Sequence, residues 1–222
     1  MNYNAKWQKS LPMMAWKKAW IILLNSQDAK RDRRICGTSL VKYKNLTTDE
    51  VHASQPSHYR LLEQVFRKAK FTAQDAIIDV GCGKGRILAY LTEQGVESQL
   101  TGVELNQEVI ETCKQWTRKY PNIHIVEGNV LDMDLTPFSV MVMANPFGTS
   151  VLLQLLEKIE RELRHPLTLY YIYDHVHGNT IDHRPGWTLK HRGWIWRDGC
   201  YYLAYSPQRC SLWQYSPSNV EA

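Results

Sequence analysis

The chain has 222 residues, of which 44% are hydrophobic and 22% are charged, and these values fit one globular domain with a sizeable core. Its five cysteines are widely spaced without a CxxC pair, which argues against a disulfide framework or a zinc knuckle and favours a reducing, cytoplasmic location. Lysines interrupt the N-terminal apolar runs, and no run approaches the roughly 20 apolar residues that span a bilayer, so neither a signal peptide nor a transmembrane helix is predicted.

The positive charge of the chain is concentrated near its N-terminus. The net charge is +5, yet residues 1–45 carry ten Lys and Arg against two Asp, whereas the rest of the chain carries 17 basic and 20 acidic residues. We therefore predict a basic helical arm or lid over residues 1–45 and one folded domain over residues 46–222. Such an arm can pack on the domain, or it can contact a nucleic acid, a protein or an anionic membrane surface.

Two helices are predicted in the first 71 residues. Apolar residues recur at helical spacing over residues 7–24, which predicts an amphipathic helix within the arm. Residues 30–34 follow as a cluster of Lys and Arg around one Asp, and we expect this cluster to be solvated. Apolar residues at helical spacing predict the second helix over residues 59–71.

The following residues alternate between short apolar runs and amphipathic helices, a pattern typical of βαβ units around a parallel sheet. Strands are predicted at 76–80, 100–104, 123–127, 140–144 and 167–173, with helices at 86–93, 107–119 and 150–164. Two aromatic-rich runs, 187–196 and 200–205, flank an Asp198-Gly199 turn and predict an antiparallel hairpin. The predicted fold class is α/β, with a mostly parallel sheet that ends in an antiparallel hairpin, plus N-terminal helices.

A glycine-rich turn joins the first strand of this sheet to a helix. It contains Gly81, Gly83 and Gly85, and glycines at such a turn allow a ligand to approach the backbone beside the positive end of the helix. A dinucleotide fingerprint would require a third Gly where Arg86 stands, and a phosphate-binding P-loop would require Ser or Thr where Gly85 stands. The turn therefore predicts another nucleotide-like ligand, unless it serves only in packing.

With Asp79 preceding these three glycines, the chain resembles the class I S-adenosylmethionine-dependent methyltransferases. The resemblance implies a seven-stranded Rossmann-like sheet, S-adenosyl-L-methionine as the methyl donor, and no metal. It also covers Glu104, which ends the second strand and can accept hydrogen bonds from both ribose hydroxyls. Asn129 stands where the family often has an Asp that accepts from the adenine amino group, but it can also be a turn-forming Asn. The cofactor contacts implied by the resemblance are Asp79, Gly81, Cys82, Gly83, Gly85, Glu104, Leu105, Asn129, Val130 and Asn145.

The fourth strand leads directly into Asn145-Pro146-Phe147. This run resembles the Asn-Pro-Pro-aromatic motif of methyltransferases that hold a planar amine or amide nitrogen, with one Pro missing, and the resemblance implies a catalytic role for all three residues. Single-Pro versions resemble a bacterial branch that combines them with a Gly-Cys-Gly-Lys-Gly-Arg turn. The sequence also leaves open a small-molecule O-methyltransferase with a His base, a non-catalytic protein that binds the cofactor, and an Asn-Pro pair that merely starts a turn.

A loop after the fifth strand is rich in acidic residues and histidines. It contains Asp174, His175, His177, Asp182 and His183. Their spacing fits no familiar metal-ligand pattern, so we expect no metal. Because ligands bind at the carboxyl edge of α/β sheets, the loop is predicted to border the acceptor pocket.

Overall fold

The computed structural model describes residues 11–41, 56–175, 177–195 and 208–217. The helices are α1 (Leu11–Cys36), α2 (Tyr59–Val65), α3 (Arg86–Glu93), α4 (Gln107–Thr117) and α5 (Thr149–Glu162). The strands are β1 (Ala76–Val80), β2 (Gln99–Glu104), β3 (Ile123–Glu127), β4 (Val140–Met143), β5 (Leu167–Ile172), β6 (Trp187–Ile195) and β7 (Gln208–Tyr215). Short 3₁₀ turns cover Val130–Asp132 and Gly178–Ile181.

The seven strands form one mixed sheet with the order β3-β2-β1-β4-β5-β7-β6. The first five strands along the chain pair in parallel, whereas β7 is antiparallel to both β5 and β6. Chain order reverses between β1 and β4, which is where sheets of this kind open a crevice for ligands. The predicted fold class is confirmed.

Helices cover both faces of the sheet, and the core is divided between the two faces. Successive residues of β1 show this division, because Ile77 packs in one cluster and Ile78 in the other, as the alternation along a strand requires. The first cluster joins the sheet to residues of α2, α3 and α4, and the second joins it to α5. Both faces are therefore buried, and this explains the continuous apolar run in β4 and the apolar residues on both faces of β1.

The second strand of the C-terminal pair, β7, lies further along the chain than the strand that was predicted at residues 200–205. Strand β6 begins at Trp187, as expected, but its partner is β7, a segment that the aromatic pattern did not single out. The predicted strand at 200–205 and its Asp198-Gly199 turn lie outside the described residues. Strand β7 becomes recognisable through its pairing with β5, whose register runs from Leu167 opposite Tyr215.

The helical part of the arm is longer than predicted. Helix α1 continues through residues 30–34 to Cys36, so the expected helix end at residue 24 is wrong. Lys30 and Arg33 are exposed as expected for a solvated cluster, but Asp32 is completely buried. The helix continues because α1 packs on α3 and gains tertiary contacts that periodicity alone does not reveal. In the part of the chain that the structure describes, no helix has the length and apolar character needed to cross a bilayer.

Candidate functional site

The glycine-rich turn lies at the carboxyl end of β1 and is shaped by left-handed backbone. The φ angles of Gly81, Gly83 and Gly85 are 71°, 56° and 84°. The N–H groups of Gly81 and Cys82 donate to the carbonyl of Val103 at 2.9 and 3.0 Å, which ties the turn to β2. Because α3 begins immediately afterwards, the turn lies at the positive end of that helix.

The Asn-Pro run after β4 lies directly against this turn. A Cβ atom built on Gly81 would lie 2.4 Å from Cβ of Pro146, a distance that real Cβ atoms essentially never show. The two segments are 65 positions apart in the chain and meet because β1 and β4 are neighbours in the sheet. The predicted cofactor turn and the predicted acceptor motif are thus adjacent at the carboxyl edge of the sheet.

Replacing Gly81 by Ala is expected to disrupt this contact, and Gly95 offers a matched control. Both glycines have φ near +70°, but a Cβ on Gly95 would meet nothing within 4 Å. Gly95→Ala should therefore cost only the left-handed backbone strain of roughly 1–2 kcal/mol, whereas Gly81→Ala should cost more and weaken cofactor binding. Urea unfolding and calorimetric binding measure the two effects. Equal losses of stability for both variants would contradict the close contact with Pro146.

Glu104 ends β2 and faces the same turn. Its Oε2 accepts the N–H of Gly83 at 2.9 Å, and its Oε1 accepts the N–H of Asn106 at 2.9 Å. Each carboxylate oxygen keeps a further lone pair for a ligand hydroxyl. Leu105 follows with 55% of its surface exposed, which places an apolar side chain beside this polar group.

Asp79 is the buried acid of the turn, with 1% of its surface exposed. Neither of its carboxylate oxygens has a hydrogen-bond partner among the described residues. Burial, together with the negative charge of Glu104, raises the pKa of Asp79 to about 8. An unpaired buried carboxylate is costly, so this site suits a ligand that brings a positive charge or a hydrogen-bond donor.

The side chain of Cys82 faces the protein interior. Its sulfur lies 2.8 Å from a Cβ built on Gly102, and a hydrogen bond with Cys113, together with burial, raises the pKa of the thiol well above its usual range. The thiol is therefore packed and protonated. The predicted cofactor contact at Cys82 would therefore be made by its backbone atoms and not by its thiol.

Asn129 follows β3 and starts the short turn Val130–Asp132. Its Oδ1 accepts the N–H of Leu131 at 3.0 Å, the geometry of a capping Asn, and Val130 is buried behind it. The turn-forming role that the sequence left open is therefore present. Because an amide oxygen has two lone pairs, the predicted adenine contact stays a prediction.

Asn145 has an unusual conformation at the end of β4. Its φ angle is 49°, in the left-handed region that Asn tolerates better than most residues. The hydroxyl of Tyr171 donates to its Oδ1 at 3.2 Å, and burial raises the pKa of Tyr171, so this hydroxyl stays protonated. Phe147 is 8% exposed and packs in the second core cluster, so its predicted contact with an acceptor stays a prediction.

The acidic residues of the loop after β5 pair with arginines. Asp174 is completely buried and accepts Nε of Arg209 at 2.7 Å, while Arg192 lies 3.3 Å from Asp174 and 2.9 Å from Asp182. His177 has its Nδ1 2.8 Å from the hydroxyl of Thr149, at the start of α5. These contacts give the loop an ion-pair network at the carboxyl edge of the sheet.

Two sets of residues near the site were missed by sequence reasoning. Tyr171 was predicted only as part of a buried strand, and nothing in the local sequence pattern links it to Asn145. Asp28 and Asp32 pair with Arg86 beside the glycine turn. Their signal was present, since they are the two acids of an otherwise basic arm and their spacing of four residues places them on one helix face.

Known proteins match the part of the chain that contains the glycine turn, Glu104, Asn129 and Asn145. Residues 77–165 match the family model described as "Methyltransferase domain". The ribosomal RNA small subunit methyltransferase A of Geobacter sulfurreducens is 36% identical over 63 residues, which is 28% of this chain and 22% of that protein. The protein-lysine N-methyltransferase of Saccharolobus islandicus is 29% identical over 49% of this chain and 68% of its own length. The chain thus spans well under half of some curated relatives that it matches.

Solved structures extend the similarity to the whole sheet. A methyltransferase from Pyrococcus furiosus has a TM-score of 0.60 at 16% identity, covering 91% of this chain and 98% of its own. The fold is the Rossmann-like fold of methyltransferases of known structure. An RNA methyltransferase from Salinibacter ruber in complex with S-adenosyl-L-homocysteine has a TM-score of 0.52 at 14% identity, covering 74% and 95% of the two chains. The family match and these neighbours together show that residues 77–165 lie in a sheet with the fold of known methyltransferases.

Proposed function

We propose that this chain transfers a methyl group from S-adenosylmethionine to an amine or amide nitrogen. One observation carries the proposal: the left-handed Asn145, whose amide oxygen is held by Tyr171, is followed by a proline that lies against Gly81 of the cofactor turn. A hydrogen-bond acceptor for a nitrogen thus lies at the crevice that the cofactor would occupy.

The residues of the turn fit this cofactor. The left-handed glycines admit close backbone approach, and Glu104 offers oxygens to ribose hydroxyls. Asp79 is buried without a partner among the described residues and suits the cationic methionine part. When bound, S-adenosylmethionine supplies an electrophilic methyl group on its sulfonium. The residues that would hold the cofactor are Asp79, Gly81, Gly83, Gly85, Glu104 and Asn129, together with the backbone of Cys82 and the flanking Leu105 and Val130.

The role of Asn145 is to orient the acceptor. Its Oδ1 can accept an N–H of the acceptor with the lone pair that Tyr171 does not use, which turns the nitrogen's own lone pair toward the methyl group. Methyl transfer is an in-line displacement, so positioning accounts for much of the rate. Pro146 fixes the backbone beside Gly81, and Phe147 anchors the motif in the core.

RNA is the acceptor class that we favour. The described arm presents exposed Lys30, Arg33 and Arg34, and the whole arm carries ten basic residues, a charge pattern that suits a polyanion. Similar proteins include methyltransferases named for ribosomal RNA, whereas the Saccharolobus islandicus relative is named for protein lysine. A protein lysine is therefore the second candidate, and an O-methylated small molecule or binding without transfer are the remaining alternatives.

The test is transfer of a labelled methyl group in fractionated cell extract. We expect label in RNA with the wild-type chain and none with Glu104→Ala, because loss of the carboxylate removes the ribose contacts and the brace on Gly83. Glu104→Gln, which keeps one acceptor oxygen, should lose less. Label in protein or in small molecules would assign the other acceptor classes, and tight cofactor binding without transfer to any fraction would overturn the enzymatic proposal.

A further inference from the structure

A buried group of charged residues joins the arm to the cofactor turn. We call Asp28, Asp32, His58 and Arg86 the arm ion cluster. The guanidinium of Arg86 donates to both oxygens of Asp32, from Nη2 at 2.8 Å and from Nε at 3.2 Å, and its Nη1 reaches Asp28 at 3.3 Å. Nδ1 of His58 lies 2.6 Å from the same oxygen of Asp28.

Every member of the arm ion cluster is buried. The exposed fractions are 0% for Asp32, 3% for Arg86, 6% for Asp28 and 7% for His58. Asp32 also accepts the N–H of Leu40 and the hydroxyl of Tyr59, so each of its carboxylate oxygens accepts two hydrogen bonds. Removing one partner from such a cluster leaves an unpaired buried charge, which is strongly destabilising.

Arg86 occupies a special position because it is the first residue of α3 and follows Gly85 directly. The side chain that α1 holds is therefore attached to the end of the turn that the cofactor would contact. The other end of α3 has a second contact with α1, in which Arg31 and Arg34 pair with Glu93. Helix α1 thus forms ion pairs with both ends of α3, but only the ion pairs of Arg86 lie beside the glycine-rich turn.

We propose that the arm ion cluster is a positioning device for the cofactor site. Docked α1 fixes Arg86, and Arg86 fixes the first turn of α3 and the left-handed conformation of Gly85 that precedes it. The positioning residues are Asp32 and Arg86, and neither is required to touch the ligand. The inference rests on the proposed function in that the ligand of the turn is S-adenosylmethionine.

The test compares two variants that each break one contact between α1 and α3. Asp32→Asn removes a charge from the contact beside the turn, and Glu93→Gln removes a charge from the contact at the far end of α3. We expect Asp32→Asn to raise the Kd for S-adenosylmethionine at least about tenfold in calorimetry, with Glu93→Gln within twofold of wild type. Thermal unfolding shows whether each variant is folded at the measuring temperature.

The outcomes are distinct. An unchanged Kd for a folded Asp32→Asn chain, or an equal rise for both variants, would overturn the positioning role. If Asp32→Asn does not fold, Asp28→Asn, which removes the negative charge at the longer 3.3 Å contact with Arg86, takes its place with the same expected direction. A wild-type chain that does not bind S-adenosylmethionine would count against the proposed ligand. Hydrogen exchange at the amides of residues 81–86, faster in Asp32→Asn than in Glu93→Gln, would still support the positioning role in that case.

Discussion

Replacing Asn145 by Gly is expected to lower methyl transfer roughly 100-fold or more while cofactor affinity stays within a few-fold of wild type. Glycine is the sharper substitution here because Asn145 has a φ of 49°, which Gly adopts without strain and Ala does not. The variant therefore removes the amide and little else. Single-turnover transfer of labelled methyl measures the rate, and calorimetry measures cofactor binding.

Two companion variants separate orientation from hydrogen bonding. Tyr171→Phe keeps the packing of a side chain that is 1% exposed but removes the hydroxyl that holds Oδ1 of Asn145, and a loss of about tenfold in rate is expected. Asn145→Asp keeps acceptor oxygens at the same place and should retain more activity than Asn145→Gly. If Asn145→Gly lost cofactor binding and transfer together, Asn145 would be a structural residue of the crevice.

Asp79 should make cofactor affinity depend on pH. With a pKa of about 8, its carboxyl is mostly protonated at neutral pH in the ligand-free protein. A positively charged ligand favours the ionised form, so binding should release a proton. Affinity should then rise with pH by at most about tenfold per unit below pH 8, and level off above it. Calorimetry in two buffers with different ionisation enthalpies measures the proton release directly.

Asp79→Asn provides the control, since the titration of the ligand's own amino group affects both proteins equally. The Asn variant should bind more weakly and lose the part of the pH dependence that is due to Asp79. Equal pH slopes for both proteins would contradict the assignment. A weak but pH-independent affinity in wild type would contradict it as well.

The same raised pKa predicts a trend in folding stability. In the unfolded chain Asp79 ionises with a pKa of about 3.9, whereas in the fold it keeps its proton to about pH 8. Its contribution is therefore fully present below pH 4 and is lost as pH rises to about 8. Thermal unfolding of the ligand-free Asp79→Asn variant should show a higher Tm than wild type at pH 7 and a smaller decline over this range.

Sequence patterns predicted the strands of the βαβ core accurately. The five parallel strands were placed within one residue of their observed ends, because each is a short run rich in apolar and β-branched residues that is bounded by turns or helices. The C-terminal pair shows the limit. Strand β6 was predicted from its aromatic residues, but β7 was not, since its identity depends on hydrogen bonds to β5 that local composition does not encode.

The glycine-rich turn is the feature that the sequence determined by itself. Glycine permits the left-handed angles at positions 81, 83 and 85, and the spacing of these glycines by itself predicted a nucleotide-like ligand. Glu104 was also predictable, because the carboxyl ends of neighbouring parallel strands meet at one edge of the sheet.

Tertiary structure alone decided what surrounds that turn. Sheet order brings Pro146 against Gly81, and the β4–β5 pairing brings Tyr171 to Asn145. Packing of α1 on α3 places Asp32 against Arg86, 54 positions away, and converts part of a basic arm into a buried ion cluster. These contacts depend on which elements become neighbours in space. Burial removes water from a charged side chain, so the charge must be paired, but the sequence does not say which distant residue supplies the partner.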